Sequence, residues 1–162
     1  ADTSTAGDPT YFSFYRNANV TLTADGGYKV LDFDTVTTDS SNGEGAASYV
    51  VPNGREGTYY FSASPMFGGY APTGIGGWIA TKIERTISDT AAVEGHIVWQ
   101  RCYVNLSGNY TSVPISAVFD MKGGDSVKIY AAATNVGDAD FIFLGVSGSD
   151  KLSTFSGFRI SD

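Results

Sequence analysis

Two tryptophans, Trp78 and Trp99, and the polar aromatic segments near them carry the most distinctive chemistry in this chain of 162 residues. A pyranose ring presents an apolar C–H face and a rim of hydroxyls. An aromatic side chain stacks on the first, and amides or phenols hydrogen-bond the second. Trp78 follows a Gly/Pro-rich stretch, residues 68–77, that also holds Tyr70. Asn109 and Tyr110 lie in the polar stretch 105–111. Tyr70, Trp78, Asn109 and Tyr110 are therefore the candidate ligand-binding residues. Strand tryptophans generally pack inside a sandwich, and packing is the favoured reading of both; Trp78 is the better binding candidate of the two because it follows the Gly-rich stretch.

Catalytic chemistry finds little support. The chain has one histidine, His96, and one cysteine, Cys102. Cys102 sits in an apolar run and reads as a small buried hydrophobe. No pair of carboxylates is singled out by spacing for glycoside hydrolysis. Residues 68–77 lack the Lys-Ser/Thr ending of a phosphate loop. Asn135, Asp138 and Asp140 are oxygen donors in one loop, but a solvated loop explains them. No enzyme activity, metal or cofactor is expected. Asn19-Val20-Thr21, Asn105-Leu106-Ser107 and Asn109-Tyr110-Thr111 match the glycosylation pattern, which matters only in a secretory eukaryotic setting.

Composition bounds the rest. One cysteine excludes an intramolecular disulfide framework. The net charge of −7, with ten basic residues spread along the chain, argues against nucleic acid, whose phosphates require clustered Lys and Arg. No run of about 18 apolar residues exists to enter a membrane. No secretory leader is visible and the first residue is Ala1, as expected of a mature product or a fragment. Twenty Gly, ten Tyr and ten Phe favour an all-β domain.

The elements that must position these residues are short strands. Residues 1–10 are small and polar and read as a linker from an upstream segment; residues 11–162 read as one domain. Tyr59, Phe61 and Ala63 alternate with Thr58, Tyr60, Ser62 and Ser64. Val113, Ile115, Ala117, Phe119 and Met121 alternate likewise, as do Val127, Ile129, Ala131 and Ala133. Turn signals stand at Asp25-Gly26-Gly27, Pro52-Asn53-Gly54 and Gly123-Gly124-Asp125. Residues 28–33 read as a strand and 39–45 as a polar loop. One helical turn is expected within 88–94, capped by Ser88 or Asp89. About ten strands with turns roughly every 8 to 15 residues indicate an antiparallel two-sheet sandwich. Tyr59, Phe61, Phe119, Ile129 and Phe155 should be buried. Gly157, inside the closing strand, should mark a close backbone approach or a bulge.

Four stretches carry a resemblance. They are Tyr11-Phe12-Ser13-Phe14-Tyr15-Arg16; Tyr49-Val50-Val51-Pro52 followed by Gly57-Thr58-Tyr59-Tyr60-Phe61-Ser62; residues 118–127 with Gly124-Asp125; and Phe155-Ser156-Gly157-Phe158. In this order they resemble the jelly-roll family of complement globular heads and tumour necrosis factors. The run from Pro52 to Gly57 is about two residues longer than the family's usual spacing. Residues 103–112, where some members hold calcium, contain no Asp or Glu, so calcium is not expected there.

The resemblance implies a non-enzymatic homotrimer that recognises ligands. The opening region, through residue 33, is more similar to bacterial and phage versions than to vertebrate ones. The expected role is then a module at the tip of a fibre or stalk, on a virion or outside a cell, attaching to a cell-surface glycan or protein receptor. The alternatives are a purely structural trimerisation or capsid-decoration domain, and a secreted pattern-recognition domain. Ten Tyr and ten Phe exceed what one sandwich interior readily holds, and Tyr130 and Phe143 are the candidates for a shared three-fold interface.

Overall fold

The computed structural model describes residues 9–40, 42–45, 47–68, 77–89, 93–103, 110–134 and 140–161. In chain order the strands are β1 (Tyr11–Tyr15), β2 (Val20–Thr23), β3 (Lys29–Val30), β4 (Thr35–Asp39), β5 (Glu44–Gly45), β6 (Ser48–Val50), β7 (Gly57–Ser64), β8 (Met66–Gly68) and β9 (Trp78–Thr86). They continue as β10 (Val93–Tyr103), β11 (Tyr110–Ser112), β12 (Ile115–Met121), β13 (Ser126–Thr134), β14 (Asp140–Phe143), β15 (Val146–Ser147), β16 (Asp150–Lys151) and β17 (Thr154–Ser161). The front sheet has the order β12-β7-β17-β1-β4; the back sheet is β10-β9-β13-β6-β5, with β3 also on β13. All pairings are antiparallel. The chain is an all-β jelly roll.

A smaller sheet, β11-β8-β14-β2, extends one end. Proline explains why it is separate. β7 and β8 are divided by Pro65, and β11 and β12 by Val113-Pro114. Proline offers no N–H to a ladder. The Val113 N–H bonds the Pro65 carbonyl at 3.1 Å, and the pairing resumes beyond it.

Alternation sends one face of each long strand inward. On β12 the burial pattern is strictly alternating, and on β7 it places Tyr59, Phe61 and Ala63 inside. All five core residues expected above are buried. Phe12 lies at the centre, stacked on Tyr49 at 4.0 Å and edge-on to Phe155 at 5.0 Å. Burying one such ring stabilises the fold by about 1.5–3 kcal/mol.

Gly157 has the close approach its position implied. A Cβ there would meet the Phe12 ring at 2.6 Å and the Tyr60 carbonyl at 2.8 Å. Neither neighbour can retreat, since one is core and the other is ladder backbone. Gly157→Val is expected to destabilise by about 3 kcal/mol, read as a lower urea midpoint at unchanged slope.

Three expectations change. Ser88 and Asp89 form a turn, but Val93 and Glu94 already belong to β10; residues 90–92 lie outside the described residues, and no helix occurs among the described ones. Within 28–33 only Lys29 and Val30 join a ladder. β4, which the sequence did not mark, pairs with β1 at the edge of the front sheet.

Register fixes the two poles. Trp78 stands opposite Tyr103 and Thr134, Tyr110 opposite Gly68, and Asp140 opposite Thr23. The strands bracketing 69–76, 104–109 and 135–139 therefore end at one pole. Tyr11 pairs with Phe158, and Thr58 with Ser161, so β1 begins and β17 ends at the opposite pole.

Candidate functional site

Of the four expected ligand residues, Trp78 and Tyr110 belong to strands that end at the loop pole. Tyr110 is 67% exposed and faces Gly68, which has no side chain to cover it. Trp78 is half-buried at the start of β9. Tyr70 and Asn109 lie outside the described residues, as do Asn135 and Asp138. Asp140 is exposed at the start of β14. His96 falls within β10. Asn19 is exposed, and its Oδ1 accepts from the Gly145 N–H at 2.9 Å.

The expected interface residues separate. Phe143 is 1% exposed and packs 6.0 Å from Phe67 and 5.3 Å, edge-on, from Phe33. It is part of the protomer's own core and cannot line a surface shared between copies; that expectation is corrected. Tyr130 is half-buried on the outward face of the back sheet. Its hydroxyl donates to Glu84 Oε1 at 3.3 Å, and its ring lies 4.6 Å from Lys82 Nζ. Lys82 also pairs with Glu84 at 2.8 Å and faces the Tyr28 ring at 4.9 Å. Burial, followed by the charge of Glu84, pushes the Tyr130 phenol above its ordinary value. Both ends of Tyr130 are thus engaged within one chain.

The apolar surface lies on the front sheet. Outward residues of β1, β17, β7 and β12 stand opposite one another in tiers. In one tier Tyr11 faces Phe158, Phe158 faces Tyr60, and Tyr60 faces Val118. Phe158 and Tyr60 pack at 5.4 Å between ring centroids. Tyr11, Phe158 and Val118 are 44%, 49% and 55% exposed, with Ile160 beside them at 54%. Single exposed apolar residues need no explanation; a contiguous row across four strands marks an interaction surface.

The flanking tiers are polar. Toward the loop pole, Ser13, Ser156, Ser62 and Ser116 form a row of small hydroxyls. Toward the terminal pole, Thr58 donates to Asp120 at 2.7 Å. One signal was available in the sequence: Tyr60 is the aromatic on the otherwise hydroxyl face of β7.

Below the sheets, the turn at residues 122–125 is held by Asp125, which is fully buried. Its Oδ2 accepts from Arg85 Nη2 at 2.8 Å and from the Lys122 N–H at 3.0 Å, and its Oδ1 from the Ser88 N–H at 3.1 Å. Burial alone would raise this carboxyl, but the donors of Lys122, Arg85 and Ser88 outweigh it and hold the group below the ordinary 3.8. Gly124 enters the turn at φ +86°, a conformation glycine adopts without strain. Among the described residues no cluster of His, Cys, Asp and Glu is arranged to hold a metal.

No family model matches the chain, and no curated protein does. Solved structures do. The globular domain of zebrafish complement 1qA aligns over 93% of this chain and 97% of its own, at 17% identity and TM-score 0.61. Eiger TNF from S. frugiperda aligns over 95% and 94%, at 14% identity and TM-score 0.64. Murine APRIL aligns over 93% and 97%, at 14% identity and TM-score 0.59. Near-complete coverage in both directions with these scores gives the chain the jelly-roll fold of complement globular heads and tumour necrosis factors.

Proposed function

We propose that the domain is a non-enzymatic recognition module that works as a homotrimer outside the cell. The carrying observation is the exposed row Tyr11, Phe158, Tyr60 and Val118 on one sheet face. Leaving such a row in water is unfavourable, and a second copy of the chain is its occupant. Like-charged chains of net charge −7 repel, and the row is a part of the surface without charge. The jelly-roll likeness to complement and tumour necrosis factor domains favours a ring of three over a pair.

Trimers built on the front sheet leave the loop pole free. Loops on a rigid scaffold are the usual place for binding residues. A segment joined at either chain end would leave from the other pole, so the module suits the tip of a stalk or fibre, cellular or viral. Its partner is a cell-surface protein or glycan, met by three equivalent sites whose weak affinities combine.

Tyr110→Ala tests the pole. The side chain is mostly exposed, so the fold should be kept. Attachment of the trimer to target cells, measured by flow cytometry, should fall by about fivefold per engaged site, equivalent to about 1 kcal/mol. Trp78→Ala should act in the same direction. Unchanged attachment in both folded variants would leave trimerisation alone as the domain's role.

A further inference from the structure

We propose that the outward face of the small sheet β11-β8-β14-β2 is a binding platform for an uncharged oligosaccharide of the cell surface. The inference deepens the loop-pole reading and rests on it. One tier crosses all four strands: Tyr110 stands opposite Gly68, Gly68 opposite Ile142, and Ile142 opposite Thr21. Directly opposed residues share a face of the sheet, and Phe67, Phe141 and Phe143 take the inner one. At the next outward position Asp140 stands opposite Thr23. Three inter-strand spacings make the tier about 14 Å wide, the reach of a short oligosaccharide.

The platform is clear of the apolar row on the front sheet. It lies beyond the proline breaks at Pro65 and Pro114. Gly68 is separated from Tyr60, in the row, by about 27 Å of extended strand. Tyr110, Thr21, Thr23 and Asp140 are all exposed. Their side chains make no hydrogen bond among the described residues. Ile142 is half-buried, and Gly68 puts no side chain between it and Tyr110.

Charge narrows the ligand. Residues 20–23, 66–76, 104–112 and 135–143 make up this sheet and the segments joined to it. They contain no Lys, Arg or His, and their acids are Asp138 and Asp140. A carboxylate, sulfate or phosphate therefore meets no counter-charge there, and the net charge of −7 repels it. This sets aside sialylated and sulfated glycans and acidic protein segments. On the described face Asp140 is the one carboxylate, too little for a basic peptide. The exposed groups suit a neutral sugar. The Tyr110 ring offers a stacking face for C–H bonds, and Ile142 adds apolar contact. The Thr21 and Thr23 hydroxyls donate and accept, and the Asp140 carboxylate accepts from sugar hydroxyls.

The test is an array of neutral hexose and N-acetylhexosamine oligosaccharides beside their sialylated and sulfated counterparts, probed with the parent protein. Binding should be confined to the neutral series, and an added sialic acid should weaken it at least about tenfold. Tyr110→Ala and Thr21→Val should each lower it by about fivefold. Both side chains are exposed, so the variants should fold and assemble like the parent, which circular dichroism and light scattering check. Equal binding of both series, no binding to any neutral oligosaccharide, or binding indifferent to both substitutions would overturn the platform. The best-bound oligosaccharide is then titrated into the parent and Phe158→Asp. Binding by parent and variant alike supports the platform; binding by the variant alone would mean that a neighbouring copy covers it, and would overturn it too. Cell attachment separates this inference from the reading beneath it. Attachment that depends on Tyr110 but survives enzymatic removal of the cells' glycans keeps the loop pole and refutes the oligosaccharide. Attachment indifferent to Tyr110 refutes the loop pole itself.

Discussion

Phe158→Asp is expected to convert a stable trimer into a folded monomer. Light scattering should fall from three times 17.1 kDa to 17.1 kDa. The side chain is 49% exposed in the protomer, so its replacement removes little intramolecular packing. It stands mid-row between Tyr11 and Tyr60, where interface side chains contribute most and truncation costs about 2 kcal/mol or more. A buried, unpaired carboxylate adds a further penalty. In a ring the substitution enters every contact, so its effect is counted three times. Tyr130→Asp, on the other sheet, should leave the mass unchanged. A parent protein of 17.1 kDa at micromolar concentration would refute the assembly, and a Phe158→Asp variant that stays trimeric would remove the row from it.

The second large effect belongs to Asp125. Asp125→Ala is expected to destabilise the protomer by about 3–5 kcal/mol, against a total of about 5–15 kcal/mol for a domain. The substitution strands the guanidinium of Arg85, whose side chain is 12% exposed. It also orphans the N–H groups of Ser88 and Lys122. The turn ties two further segments together: Val51 donates to the Asp125 carbonyl and Gly124 to the Val51 carbonyl, at 2.9 and 2.7 Å. Loosening it frees the end of β9 and the chain after β6 together. Chemical denaturation of the Phe158→Asp background measures this without the assembly equilibrium.

The pH dependence has a definite sign. Asp125 is held below 3.8 in the folded state. Its contribution is present above the unfolded value and is lost as pH falls through the depressed folded value. Between about pH 5 and pH 2 the parent should therefore lose more stability than Asp125→Asn, which has no carboxylate to protonate there. Equal slopes would mean that Asp125 titrates alike in both states.

The strands with strict alternation were legible because burial on one face imposes a period of two. β7, β12 and β13 were read this way, and their inward residues are core. The turn at Gly123-Gly124-Asp125 was legible from its residues. β4 was not, because Thr35–Asp39 is a polar edge strand whose only apolar residue, Val36, is itself exposed. Residues 28–33 had strand composition, yet only two of them found a ladder partner. Phe143 was misjudged because a near-continuous apolar run does not reveal which face is buried.

The sequence by itself determined the all-β class, the inward faces of the alternating strands, and the closing strand with a glycine inside it. Those properties follow from local spacing and from residue chemistry. Tertiary structure alone decided the surfaces. Tyr11, Tyr60, Val118 and Phe158 are far apart in the chain, and only ladder register sets them in one row. Gln100 comes beside the Ser62–Ser116 ladder pair only because the two sheets end side by side. A one-residue slip in any of these ladders would send the same side chains to the opposite face, and so single strands offered no more than the hint of Tyr60.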